Sequence, residues 1–201
     1  MSQTPLSLLD QIELLQLASR ASAGGAAGHA IGYLKEAVSR SDASGAAHYL
    51  LGAQYAQVGL YDRAIAEMEA AIALDPALST ARLQLGLLWL SSGNRDMASQ
   101  VLSGLADLVA DDPLRLFGAG LCHLIKGEFA EATRCLTEGI ARNTRNEALN
   151  IDMQKIADQA ARAGAAVPPA ALADADGAPP QNEEDGGLHM LLSAYTGNIS
   201  H

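Results

Sequence analysis

The chain has 201 residues, of which 49% are hydrophobic and only 4% aromatic, and its formal net charge at pH 7 is -10. An acidic surface repels the phosphates of nucleic acids and of anionic lipids, so we expect neither nucleic acid nor membrane as a partner. Alanine and leucine dominate the apolar residues. This composition favours packed helices over sheets, in one sizeable domain with an extension.

The N-terminus and the cysteines indicate the compartment. No positive charge precedes Arg20, so the first residues lack the basic start of a secretory signal. Two cysteines, Cys122 and Cys135, are too few for a disulfide framework, and we expect both to be reduced core residues. These features predict a cytoplasmic, all-α protein.

Three columns of small residues recur with a period of 34 along the chain. They are Gly52, Gly86 and Gly120; Gly59, Gly93 and Gly127; and Ala64, Ala98 and Ala132. The first and third columns allow two antiparallel helices to approach closely, because a larger side chain would push their axes apart. The middle column falls where the first helix of each pair must end, in the left-handed conformation that glycine adopts readily.

In chain order, the pattern predicts helix pairs followed by a helix, a linker and a terminal segment. The divisions are 1–44, 45–78, 79–112, 113–146, 147–163, 164–187 and 188–201. The first division is a degenerate repeat with capping helices, and the next three are full repeats. Residues 147–163 form a capping helix, whose apolar face carries Leu149, Met153, Ile156 and Ala160. Residues 164–187 are poor in large apolar side chains and predict a disordered linker.

The repeats at 45–146 resemble the tetratricopeptide repeat. The repeat at 45–78 has the residues that define the family pattern: Leu51, Gly52, Tyr55, Tyr61, Ala64, Met68, Ala71 and Pro76. The resemblance implies a right-handed α–α superhelix of helix-turn-helix repeats with a C-terminal capping helix. It also implies a non-enzymatic adaptor or scaffold that binds other proteins and needs no cofactor.

In the family that the chain resembles, partner peptides lie along an inner wall formed by the first helix of each pair. The inward positions are the second, fifth, ninth and twelfth of each repeat. Those that we expect to form a partner-binding groove are Tyr49, Ala53, Leu83, Leu87, Leu90, Phe117, Leu121 and Leu124. No lysine, arginine or asparagine occupies these positions, which argues against binding of a peptide carboxylate. An open apolar strip would bind an amphipathic helix or extended apolar segment, unless the leucines pack between helices.

The C-terminal segment repeats the spacing of one apolar helix face. This face carries Leu188, Leu191, Leu192, Tyr195 and Ile199. We expect this segment to dock into an apolar groove of its own chain, of a second copy, which would give a homodimer, or of another protein. The alternative is a frayed terminus.

The residues that could carry chemistry are few. Cys122, His123 and Cys135 are the only neighbouring metal-ligand types, and adjacent side chains on a helix point about 100° apart, so we expect no metal site. His48 is expected to contact the second helix of its pair. The leading interpretation is therefore an interaction module. The alternative is a secretion chaperone, similar to the type III chaperones of translocator proteins, that holds an apolar client.

Overall fold

The computed structural model describes residues 6–166, and the secondary structure of this part of the chain is entirely helical. After a 3-10 turn at Leu6–Leu8, the helices are α1 (Gln11–Ala23), α2 (Ala27–Val38), α3 (Gly45–Gln57), α4 (Tyr61–Leu74), α5 (Ser79–Ser91), α6 (Arg95–Ser103), α7 (Pro113–Ile125), α8 (Phe129–Arg142) and α9 (Glu147–Ala166). The predicted all-α repeat class is confirmed. The chain divides into two compact units, residues 1–88 and 89–201, and the division falls within α5.

Side chains cap the N-termini of several of these helices. The Asp10 carboxylate accepts from the Glu13 backbone N–H at 2.8 Å, and the Glu13 carboxylate accepts from the Asp10 N–H at 2.9 Å, which forms a capping box at α1. Asp112 caps α7, where its side chain accepts from the Leu114 N–H at 2.8 Å ahead of Pro113. These polar residues satisfy amide groups that a helix leaves without partners.

Glycines in the left-handed conformation follow the first helix of each pair. Gly25, Gly59, Gly93 and Gly127 have φ values of 72, 76, 79 and 75°. This conformation costs other residues roughly 1–2 kcal/mol. The prediction for the last three is confirmed, and Gly25 extends the same 34-residue spacing into the degenerate repeat.

The first unit packs through small residues. A Cβ on Gly52 of α3 would lie 3.1 Å from the Ala64 carbonyl oxygen of α4. At the N-terminal side of the unit, Leu14 forms a buried cluster with Ala37 and Ala47, which joins α1, α2 and α3. The predicted close approach of the helices in this pair is therefore confirmed.

One face of α1 is polar. The face of α7 that packs toward α6 carries Gly118, and a Cβ added at this glycine would lie 2.8 Å from the Leu105 side chain. Three repeat lengths earlier the corresponding residue is Gln16, which is exposed, as are Glu13 and Arg20. This face of α1 is therefore suited to contact with water.

The second unit follows the same packing rule as the first. A Cβ on Gly120 of α7 would lie 2.8 Å from Leu136 of α8. Along α9, Met153, Ile156 and Ala160 are buried, as predicted, and Leu149 is half-buried. The helix continues to Ala166, three residues into the range predicted as a linker.

No helix among residues 6–166 combines the length and the hydrophobicity that crossing a bilayer requires.

Candidate protein-binding surface

Six of the eight residues predicted to line an open groove are buried. Each of these side chains exposes 2% or less of its surface: Leu83, Leu87, Leu90, Phe117, Leu121 and Leu124. A partner of the folded chain cannot contact side chains at this depth. The expectation of an exposed apolar strip at these six positions is therefore wrong.

In α7 the burial has an identifiable cause. The Cε1 atom of Phe117 lies 2.6 Å from the point where a Cβ on Gly139 would be. The ring therefore fills space on α8 that only a glycine leaves open. Phe117 is a core residue of the second unit.

In α5 the cause is the composition of the helix. Its residues in the first unit are buried on nearly every side: Ala81, Leu83, Leu85, Gly86, Leu87 and Leu88. A helix that is apolar all round belongs inside a protein. The leucines at inward positions therefore pack inside the protein, which is the alternative that the sequence left open.

The remaining inward positions of the first unit are accessible. We call them the first-helix surface, and each is exposed or half-buried: Ile12, Leu15, Ser19 and Ser22 of α1, Ala46, Tyr49, Ala53 and Ala56 of α3, and Thr80 of α5. Ile12, a large apolar side chain of this surface, is 67% exposed. None of these side chains carries a charge, and most are small. The binding roles of Tyr49 and Ala53, both half-buried, stay predictions.

Side-chain hydrogen bonds join the three helices of this surface. Gln54 Nε2 of α3 donates to Ser22 Oγ of α1 at 2.9 Å. Gln84 Nε2 of α5 donates to Tyr49 Oη of α3 at 3.3 Å, and Tyr49 also bonds to Thr80. These bonds connect α1 to α3 and α3 to α5.

The phenol of Tyr49 is neutral at physiological pH. Burial raises its pKa above the ordinary value, and the hydrogen bonds with Thr80 and Gln84 oppose that shift. A neutral phenol keeps the whole first-helix surface uncharged.

Gln54 and Gln84, the glutamines that connect these helices, were not among the residues predicted from the sequence. Gln54 is 7% exposed, and its Oε1 atom is buried without a hydrogen-bond partner. A buried polar atom without a partner costs roughly 1–3 kcal/mol. One and two repeats later the same position holds Leu88 and Cys122, so the available signal was an amide in an otherwise apolar column.

Burial disfavours the thiolate form of both cysteines. Cys135 is buried and Cys122 is half-buried, and both are free thiols. Burial is the main cause that raises the pKa of each thiol, which reduces the thiolate fraction at neutral pH. Among residues 6–166, no three histidine, cysteine or acidic side chains are grouped closely enough to hold a metal ion.

Two histidines pair with carboxylates within the helix pairs. His48 Nδ1 of α3 lies 2.7 Å from Glu67 Oε2 of α4, so the predicted helix-pair contact of His48 is confirmed. His123, near the end of α7, bonds to Glu128, the residue that precedes α8. Both contacts join the first and second helix of one pair.

Replacing Glu128 with glutamine is expected to remove a pH-dependent part of the stability. The hydrogen bond with His123 lowers the pKa of the Glu128 carboxyl below its ordinary value. A carboxyl with a lowered folded-state pKa stabilises the fold above the unfolded-state pKa, and this contribution is lost as pH falls through the folded-state value. Urea unfolding at about pH 6 and about pH 3 should show a smaller loss of stability in Glu128→Gln than in the wild type. Equal losses would contradict this assignment.

The predicted docking segment, with Leu188, Leu191, Leu192, Tyr195 and Ile199, lies outside the described residues, as does most of the predicted linker.

Comparisons with known proteins identify the fold. No family model matches the sequence, and no curated protein matches it. A solved structure of MamA is 26% identical to the chain, covering 66% of this chain and 78% of that one with a TM-score of 0.56. A tetratricopeptide-repeat protein from Parabacteroides merdae is 16% identical over 96% of this chain and 75% of its own, with a TM-score of 0.61. The chain has the tetratricopeptide-repeat fold.

A second tetratricopeptide-repeat protein also has a similar structure. The C-terminal part of a repeat-containing protein from Cytophaga hutchinsonii is 16% identical over 92% of this chain and 67% of its own, with a TM-score of 0.57. The resemblance seen in the repeat residues is thereby confirmed. Repeat proteins of this kind bind their partners on extended surfaces, and the comparisons support the broad class of a protein–protein interaction module.

Proposed function

We propose that this tetratricopeptide-repeat protein is a non-enzymatic interaction module whose first-helix surface binds an amphipathic helix of a partner protein. One observation carries the proposal. The inward positions of α1 and α3 and the first of α5 form an accessible surface without a single charged side chain, although 18% of the residues in the chain are charged. A surface that avoids charge can be buried without desolvating ions.

The small side chains of the first-helix surface suit a helical ligand with large apolar residues. Alanine and serine at Ser19, Ala46 and Ala53 would let a partner helix approach closely, because side-chain bulk sets the distance between helix axes. Large apolar residues of the partner would fill the space above them, beside Ile12 and Tyr49. Each buried leucine or phenylalanine anchor contributes roughly 1.5–3 kcal/mol before the ordering costs of binding are subtracted.

A tryptophan at Ser19 is expected to weaken partner binding at least tenfold, a loss of about 1.4 kcal/mol, because the indole occupies the space of the partner helix. Ser19 and Arg20 are both exposed on α1, and adjacent side chains on a helix point about 100° apart, so Arg20 lies on the polar face of α1. Arg20→Trp therefore adds the same side chain away from the surface. Helical peptides with leucine or tyrosine on one face, selected from a displayed library, should bind the wild type and Arg20→Trp but not Ser19→Trp.

Two results would count against the proposed surface. Equal binding of the selected peptides to Ser19→Trp and Arg20→Trp would place their site elsewhere. Selection of acidic or basic peptides without an apolar face would contradict the ligand chemistry.

A secretion chaperone for an apolar client is the second candidate. The same uncharged surface would cover an apolar segment of the client, and the net charge of -10 would help to keep the complex soluble. A chaperone keeps one client soluble, whereas a scaffold recruits partners that are soluble without it. Centrifugation of an isolated client with and without the protein distinguishes the two. We place either function in the cytoplasm, since the two cysteines are free.

A further inference from the structure

We infer that helix α1 pairs with α1 of a second copy, antiparallel and around a twofold axis, in a weak and reversible homodimer. This contact goes beyond the proposed function, which concerns a partner of different sequence. The size, polarity and charge of the side chains along one exposed face of α1 all match an inverted copy of the same face.

The face of α1 that points away from the core has the spacing of a helix-pairing seam. Leu14 and Ala18 are buried within the first unit. The residues on the opposite side of the helix are all exposed and follow one another at intervals of four, three and four. We call them the α1 seam: Ile12, Gln16, Ser19 and Ala23. This is the pattern of the a and d positions of a two-stranded coiled coil.

An antiparallel pairing matches large side chains of the α1 seam with small ones. Inversion of the seam about its midpoint places Ile12 opposite Ala23 of the second copy and Gln16 opposite Ser19 of the second copy. Each pair occurs twice, because a twofold contact pairs residue i with j and j with i. The Gln16 amide meets a hydroxyl to which it can form a hydrogen bond. A polar pair within such a seam fixes the register and orientation of the helices.

Two charged residues beside the α1 seam have no oppositely charged partner in the monomer. Glu13 and Arg20 are both exposed. Neither forms an ion pair with another side chain among residues 6–166. Glu13 Oε2 accepts from the Asp10 N–H, which leaves the other carboxylate oxygen available. The two residues are about 10 Å apart along the helix, too far to pair with each other.

An antiparallel second copy pairs both charges. The same inversion brings Glu13 beside Arg20 of the second copy and Arg20 beside Glu13 of the second copy, which gives two ion pairs. A parallel pairing would bring Arg20 beside the uncharged Leu15 and leave both charges without a partner. This charge complementarity between identical faces favours a second copy as the occupant of the α1 seam.

The dimer is weak because the contact is small. One helix face contributes far fewer side chains than the about 20–30 residues a side of a standard interface. Ion pairs at a solvent-exposed edge add little to the affinity. Ile12 and Ser19 also belong to the first-helix surface, so a second copy and a partner helix exclude each other there. Self-association therefore lowers the apparent affinity for a partner as the protein concentration rises.

Sedimentation velocity of the full-length protein over a series of concentrations tests the dimer. At low ionic strength, where screening is weak, the wild type should change from monomer to dimer as its concentration rises. Glu13→Arg and Arg20→Glu each turn two attractive contacts into two repulsive ones, so each should weaken the dimer at least tenfold. Glu69→Arg makes the same change of charge at an exposed residue of α4 and should leave the dimer unchanged.

Combining the charge reversals shows whether the two residues face each other. The double variant Glu13→Arg/Arg20→Glu inverts both ion pairs and should dimerise about as well as the wild type. A mixture of Glu13→Arg and Arg20→Glu should form heterodimers, which a fluorescent label on one variant detects, although neither variant dimerises alone. Arg20→Glu keeps the capping box of Asp10 and Glu13, so loss of this cap cannot account for its effect.

Three results would overturn the inference. The first is a wild type that stays monomeric at every concentration. The second is a dimer that both single charge reversals leave intact, because the copies would then meet through another face. The third is a lack of recovery in both the double variant and the mixture, because the two charges would then not lie opposite each other.

Binding of the displayed helices separates this inference from the proposed function. These helices should bind the monomeric Arg20→Glu variant at least as tightly as the wild type, since no second copy competes for the first-helix surface. If they bind but the wild type never dimerises, only the dimer is wrong. If the wild type dimerises as expected and no displayed helix binds, only the proposed function is wrong.

Discussion

Phe117→Ala is expected to lower the free energy of unfolding by about 3–5 kcal/mol, the range for removing a fully buried aromatic ring. The side chain of Phe117 is 0% exposed, and its ring lies over Gly139. A glycine has no side chain with which to fill the resulting cavity, so α7 and α8 lose contacts that small adjustments cannot restore.

Ile12→Ala provides the control, since Ile12 occupies an inward position of α1 and is 67% exposed. An exposed substitution of this kind changes stability by about 0.5 kcal/mol or less. Urea unfolding of both variants measures the difference. If Phe117 instead lined an open groove, the two substitutions would have similar small effects, so a loss below about 1 kcal/mol for Phe117→Ala would contradict its place in the core.

The sequence predicted those parts of the fold that depend on local geometry. Gly59, Gly93 and Gly127 were identified because a helix must end where the chain turns back, and each has the expected positive φ. The cap at Asp112 was predictable because a carboxylate before a proline satisfies free amides at the start of the next helix. These features depend on neighbours within a few residues.

The exposure of the inward positions could not be derived in the same way. A repeat position gives the direction of a side chain, but its exposure depends on residues far along the chain. Phe117 corresponds to Tyr49 two repeats earlier, and Gly139 corresponds to Ala71. In the first unit Tyr49 is half-buried, whereas in the second unit Gly139 leaves space for the Phe117 ring. A glycine opposite an aromatic residue was the sequence signal for this difference.

The binding surface was predictable only in part, for a related reason. Small residues such as Ala46 and Ala53 are too short to reach a neighbouring helix across the inner face, so they leave it accessible. Leu83 and Leu87 are long enough to pack, and they are buried. Large apolar residues at the inward positions therefore belong to the core. The accessible surface is marked instead by inward residues that are small and uncharged.

Gly120→Val is expected to destabilise the fold by about 3 kcal/mol, because it adds volume to a closely packed helix pair. A Cβ at this position would lie 2.8 Å from Leu136 Cγ and 3.2 Å from the Ala132 carbonyl oxygen, both on α8. Leu136 is fully buried, and the carbonyl belongs to the helix backbone, so neither can move aside without separating α7 from α8. Valine is a better helix former than glycine, so only packing can account for a loss.

A substitution at a second glycine distinguishes the effect of packing on stability from the effect of helix propensity. Gly32 lies within α2, and a Cβ there would meet no atom within 4 Å. Gly32→Ala should therefore raise the free energy of unfolding by up to about 1 kcal/mol, since alanine favours the helix and nothing opposes it. Urea unfolding should give opposite signs for Gly120→Val and Gly32→Ala. The same sign for both would mean that the glycines recurring every 34 residues do not set the distance between paired helices, and that backbone propensity alone explains their effect.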